Sequence, residues 1–145
     1  LTPYHINDII VPSNYGGREM ITIKNIDELE AERERQLEAW IDTGNDVSDF
    51  RLDLSKADLI CAQLGGADLK GADLIWAQLD GADLKGADLT SARFVMADLS
   101  RADLRGAILK KTSFANAFFY KTASDNIDYL RSYQESYFDN SFVSL

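Results

Sequence analysis

Between Leu52 and Lys121 a large apolar residue returns every fifth position. It is Leu at positions 54, 59, 64, 69, 74, 79, 84, 89, 99, 104 and 109, and Phe at 94, 114 and 119. Two residues before each of these stands a second uncharged position: Leu52 first, Ala at most later sites, and Thr112 near the end. The three remaining positions of each unit carry mainly Asp, Lys, Arg, Gln, Gly, Ser and Thr, the composition of a solvent-facing surface. A period of five matches neither the 3.6 of a helix nor the 2.0 of a flat strand. It predicts a stack of short units, each borrowing part of its core from its neighbours.

The units are close to identical. Ala57-Asp58-Leu59, Ala67-Asp68-Leu69, Ala72-Asp73-Leu74, Ala82-Asp83-Leu84, Ala87-Asp88-Leu89, Ala97-Asp98-Leu99 and Ala102-Asp103-Leu104 share one register, and Gln63 and Gln78 replace Asp without shifting it. This run of fourteen units resembles the pentapeptide-repeat family, whose motif is A(D/N)LXX, and it covers 70 of 145 residues. Its many perfect units most resemble the small cyanobacterial members. The resemblance implies an all-β fold: a right-handed quadrilateral β-helix of about 3.5 coils, roughly 17 Å long, with short helical flanking or capping segments. Four units per coil set stacked positions twenty residues apart, giving inner columns such as Leu54, Leu74, Phe94, Phe114 and Leu64, Leu84, Leu104. Glycines at 66, 71, 81, 86 and 106 fall where turns need relief.

Three segments are expected: an N-terminal flank over 1–51, the repeats over 52–121, and a C-terminal helical cap and tail over 122–145. In the first, Met20-Ile21-Thr22-Ile23 reads as a short strand and Asp27 to about Ile41 as a helix ended by Gly44-Asn45. Its apolar stripe is interrupted near Arg33, and it is expected to cover the first coil with Trp40 near the contact. Pro3, Pro12 and Gly16-Gly17 mark earlier loop, and residues 1–19 receive no placement. In the last segment a helix capped by Ser124 or Asp125 runs to about Phe138, and the repeat end offers Phe114, Phe118, Phe119 and Tyr120 to receive it. Capping is the first expectation there. A C-terminal dimer contact, implied by gyrase-binding members of the family, is the alternative.

Charge changes the functional picture. The chain carries a formal −9. Residues 52–121 hold nine acids and nine bases, so the excess lies in the flanks, −6 before and −3 after. Some family members imitate duplex DNA and bind DNA gyrase, which requires a sustained negative field. Here Lys70 and Lys110 lie beside the Asp68–Asp88 column, and Lys85 and Arg105 accompany Asp83 and Asp103. No basic stripe suits direct nucleic-acid binding.

Catalysis finds few materials. His5 is the single histidine, Cys61 lies at an outward corner with no local base, and neither a phosphate loop nor a metal-ligand cluster is present. No catalytic residue, cofactor or metal is expected. One outer corner departs from polarity: Ile75-Trp76 stacks beneath Val95-Met96, a candidate protein-interaction patch unless a flank, through Leu37 and Trp40, covers it. The expected function is a non-enzymatic scaffold or interaction module with an unidentified protein partner; the alternative is a DNA-mimicking topoisomerase binder. No stretch reaches transmembrane length, and a monomer is favoured. The chain begins at Leu1 rather than Met. The expected compartment is the cytoplasm, or the thylakoid lumen or periplasm if a targeting segment was removed.

Overall fold

Each repeat turns on a residue with positive φ. In the computed structural model the second residue after every large apolar position, from Lys56 (φ 60°) to Lys121 (φ 54°), lies in the left-handed region. Nine of these fourteen corners are not glycine. The amide of the next residue returns to the carbonyl of the large apolar residue, as in Ala57 N–H to Leu54 O at 3.0 Å, so each corner has the positive φ and i to i+3 bond of a type II turn. Where Asp precedes the Leu, it holds the turn from outside. Asp53, Asp58, Asp68, Asp73, Asp83, Asp88, Asp98 and Asp103 each accept, through Oδ1, the amide two residues on, at 2.9–3.1 Å. That is an Asx turn, which needs a short side-chain acceptor.

Four such turns bring the chain back over itself. Eleven parallel bridges join residues twenty apart, from Asp53–Asp73 to Asp103–Ala123. Around them the amides point along the stack, with Leu54 N–H donating to Asp73 O at 2.8 Å and Asp73 N–H to Leu52 O at 2.9 Å. The inner columns follow. All fourteen large positions and all fourteen positions two residues earlier, over 52–119, are buried. Phe94 stacks on Phe114 at 5.1 Å, and Phe114 meets Phe119 edge-on at 5.4 Å. Thr112 and Thr122, which replace Ala, turn their hydroxyls to Leu89 O and Leu99 O at 2.8 and 2.7 Å.

The expected all-β quadrilateral β-helix is nevertheless corrected. The repeat contains no β-strand; its coils meet only through isolated one-residue bridges, and most of its residues lie in turns and irregular backbone. The reason is the unit length: with a turn every five residues, one bridged residue per unit remains before the chain bends again. The longest regular element among the described residues is a helix, so the description as a β solenoid does not hold.

The structure describes residues 5–6, 9–10, 19–126 and 130. Two strands, β1 (His5–Ile6) and β2 (Ile9–Ile10), pair antiparallel in the segment left unplaced by the sequence. Helix α1 spans Ile26–Asp42, and a 3-10 turn spans Val47–Asp49. Asn25 caps α1 by accepting Glu28 N–H at 2.9 Å, while the Glu28 carboxylate accepts Lys24 N–H, one residue before the cap, at 2.6 Å. The helix expected from Ser124 or Asp125 to about Phe138 falls mostly outside the described residues. The described Leu130 is buried and donates its amide to Asn126 O at 3.2 Å.

Candidate functional site

The outer surface is built from what the turns leave free. At the Trp76 corner, Lys56 N–H donates to Ile75 O at 2.9 Å, Trp76 N–H to Val95 O at 3.0 Å, and Met96 N–H to Ala115 O at 3.0 Å. Ile75 therefore lies below Val95, and Trp76 below Met96. Ile75, Val95 and Met96 are half-buried, while Trp76 is 52% exposed. Trp76 and Met96 occupy left-handed backbone at φ 61° and 60°. A non-glycine residue there costs roughly 1–2 kcal/mol, so the indole is held outward at a conformational cost that a glycine avoids.

Leu37 and Trp40 were the candidate cover for this patch, and Trp76 is half-exposed. Trp40 instead donates Nε1–H to Asp46 O at 2.8 Å and meets Phe50 edge-on at 6.3 Å. It braces the return from α1 to the repeat. The contact with the first coil comes from Leu29, which is fully buried, and from two polar residues that periodicity passed over. Gln36 exchanges two hydrogen bonds with the Asp53 backbone, at 2.7 and 2.8 Å, and Arg33 donates to Asp68 O. Beside them, Asp58 N–H donates to Ile21 O at 2.8 Å and Gln63 N–H to Lys24 O at 2.8 Å. The expected strand at 20–23 is reduced to a single bridge, Thr22–Asp58.

The acidic surface of the repeat is largely neutralised. Lys70 Nζ lies 3.2 Å from Asp88, Lys85 lies 3.5 Å from Asp103, and Arg93 lies 3.0 Å from Asp73. Arg101 binds Asp80 through two nitrogens and holds its carboxyl below the ordinary range. Arg105, bonded to Asp103 beside it, lowers that carboxyl to about 2. Hydrogen bonds from Thr90, ahead of the Lys70 charge, lower Asp88. These shifts have turn-forming and ion-pairing causes and mark no proton-transfer pair. Cys61 is an exposed free thiol at a left-handed corner. Among the described residues no His, Cys, Asp and Glu group could hold a metal, and no helix is long and apolar enough to cross a membrane.

The family model described as pentapeptide repeats matches in eight copies, over residues 51–86, 67–106 and 82–119. A solved pentapeptide-repeat protein, Rfr23 from the cyanobacterium Cyanothece 51142, is 35% identical over 50% of this chain and 54% of its own, with a TM-score of 0.45. HetL, a pentapeptide-repeat protein involved in heterocyst differentiation regulation in Nostoc sp. PCC 7120, is 30% identical over 55% of this chain and 43% of its own, with a TM-score of 0.28. A pentapeptide-repeat protein from the Arabidopsis thaliana thylakoid lumen is 29% identical over 57% of this chain and 70% of its own, with a TM-score of 0.24. The chain thus spans about half the length of the first two. No curated protein matches it.

Proposed function

The chain belongs to the pentapeptide-repeat family, whose members are typically non-enzymatic scaffolds, and on that premise we propose that it is a protein-interaction module docking a partner through Ile75, Trp76, Val95 and Met96. The observation that carries this reading is Trp76, 52% exposed and held in left-handed backbone. Five of the fourteen corners place glycine at the same position. Stability alone favours a residue without a Cβ there, so a bulky exposed indole points to use of its surface.

The test compares wild type with an Ile75→Ser/Trp76→Ser variant, both confirmed folded by thermal melting. A partner retained by wild type and lost by the folded variant supports the patch. Equal retention overturns it as that partner's docking surface. The DNA-mimic reading fares worse, because eight repeat carboxylates are engaged in their own turns and several also meet Lys or Arg. Inhibition of gyrase supercoiling by the purified protein is the result that restores it.

A further inference from the structure

The neutral total of the repeat conceals a gradient along its axis. Helix α1, which lies against the first coil, holds seven acids and two bases. The last twenty residues of the stack, 104–123, hold Arg105, Lys110, Lys111 and Lys121 and no acid. The acids disappear because the bridging positions change from Asp to Ile108, Ser113, Phe118 and Ala123. Besides Ile60 and Trp76 on the coils between, exposed apolar residues occur at both ends: Ile26, Ile41 and Val47 in the N-terminal flank, and Ile108, Phe118 and Tyr120 in the final coil.

Two faces match in detail. On α1, Glu34, Glu38 and Ile41 stand four and three residues apart and so share one side. Both glutamates are exposed, Ile41 is 49% exposed, and neither glutamate makes an ion pair among the described residues. On the last coil, Ile108 is 50% exposed and is followed at the next corner by exposed Lys110 and Lys111, which likewise make no ion pair among the described residues. Lower on that wall Asp68 and Asp88 share Lys70, so the unbalanced positive charge is confined to the top.

We propose that the Glu34–Glu38–Ile41 face of α1 docks on the Ile108–Lys110–Lys111 wall of a second copy of this chain. The occupant follows from complementarity: two exposed carboxylates beside an exposed isoleucine meet two exposed ammonium groups beside another. A contact between two final coils brings like charges together and is disfavoured. A contact between unlike faces is heterologous and leaves one of each free, so it extends head to tail. Exposed pairs are individually weak, so the association is concentration- and salt-dependent.

Sedimentation of the full chain tests this at about 0.01 M and about 1 M salt, where screening lengths are about 30 and 3 Å. The expected result is a weight-average mass that rises with concentration at low salt and stops rising at high salt. Glu34→Lys/Glu38→Lys and Lys110→Glu/Lys111→Asp, each folded by circular dichroism, should each abolish the rise. Aspartate is used at 111 because it tolerates the left-handed backbone there (φ 58°). Mixing the two variants restores complementary faces and should restore association. A wild-type mass independent of salt and concentration overturns the proposal, as does failure of the folded variants to co-assemble. Association with co-purifying nucleic acid, abolished by nuclease, also overturns it.

Discussion

Gln36 and Asp53 form a closed pair in which a side chain stands in for a peptide. The Gln36 amide donates to Asp53 O at 2.7 Å and accepts Asp53 N–H at 2.8 Å. Within the stack, a bridging residue such as Asp73 makes the same two kinds of bond to backbone one coil below, donating to Leu52 O and accepting from Leu54 N–H. The first coil has no coil beneath it, and an unpaired edge is both costly and open to wrong pairing. Gln36→Ala should lower stability by about 1–3 kcal/mol, the cost of unmade bonds to part-buried groups. Faster hydrogen exchange at the Asp53 amide, in a folded protein, is the accompanying readout. Gln36→Glu keeps the acceptor and loses the donor, so it should protect that amide better than Ala does.

Gly86 separates backbone conformation from packing. Its φ is 65°, and an added Cβ meets nothing within 4 Å. Gly86→Ala should therefore destabilise by about 1 kcal/mol through conformation alone, and Gly86→Asn by less, since Asn tolerates this region. Urea denaturation of the three proteins measures the order; an Ala variant as stable as wild type contradicts the argument.

Leu84 lies fully buried in the column of Leu64 and Leu104. Leu84→Ala should cost about 2–5 kcal/mol, because the surrounding corners are tied by backbone bonds and collapse poorly into the space. Denaturant melts provide the check.

Thr112 is buried and donates its hydroxyl to Leu89 O at 2.8 Å. That carbonyl also accepts Ala92 N–H at 2.9 Å, so removing the hydroxyl does not orphan it. Thr112→Val should cost about 1 kcal/mol or less, measured by the shift in melting temperature.

Asp103 gives the stack an acid limit. Its folded carboxyl titrates near 2 because Arg105 bonds to its ionised form, below the roughly 3.9 of an unfolded chain. A group lowered on folding contributes stability that is complete above its unfolded value and is lost as pH falls through its folded one. The contribution should therefore fade between about pH 4 and pH 2, in the same direction as those of Asp80 and Asp88, which are also lowered. Asp103→Asn should reduce the drop in melting temperature across that window relative to wild type.

Much of the surface was legible in the sequence, and its departures have local causes. The stacking of Ile75-Trp76 beneath Val95-Met96 follows from counting twenty residues. The exposure of Trp76 does not, because spacing alone does not say whether a flanking segment covers it. Arg33 read as an interruption of an apolar stripe, yet it reaches Asp68 O; Trp40 read as a coil contact, yet it bonds within the flank. Apolar periodicity identifies side chains that leave water. It carries no information on which polar side chain finds an unpaired backbone group.

The sequence by itself determined the period, the inner columns and the corner positions, because these arise from interactions that repeat identically every five and twenty residues. Tertiary structure alone decided how the first edge is closed, which corner remains bare, and that the coils meet through single bridges rather than strands. Those outcomes depend on the direction of backbone groups after each turn and on contacts between segments of unlike sequence. Neither is encoded in the spacing of Leu and Ala.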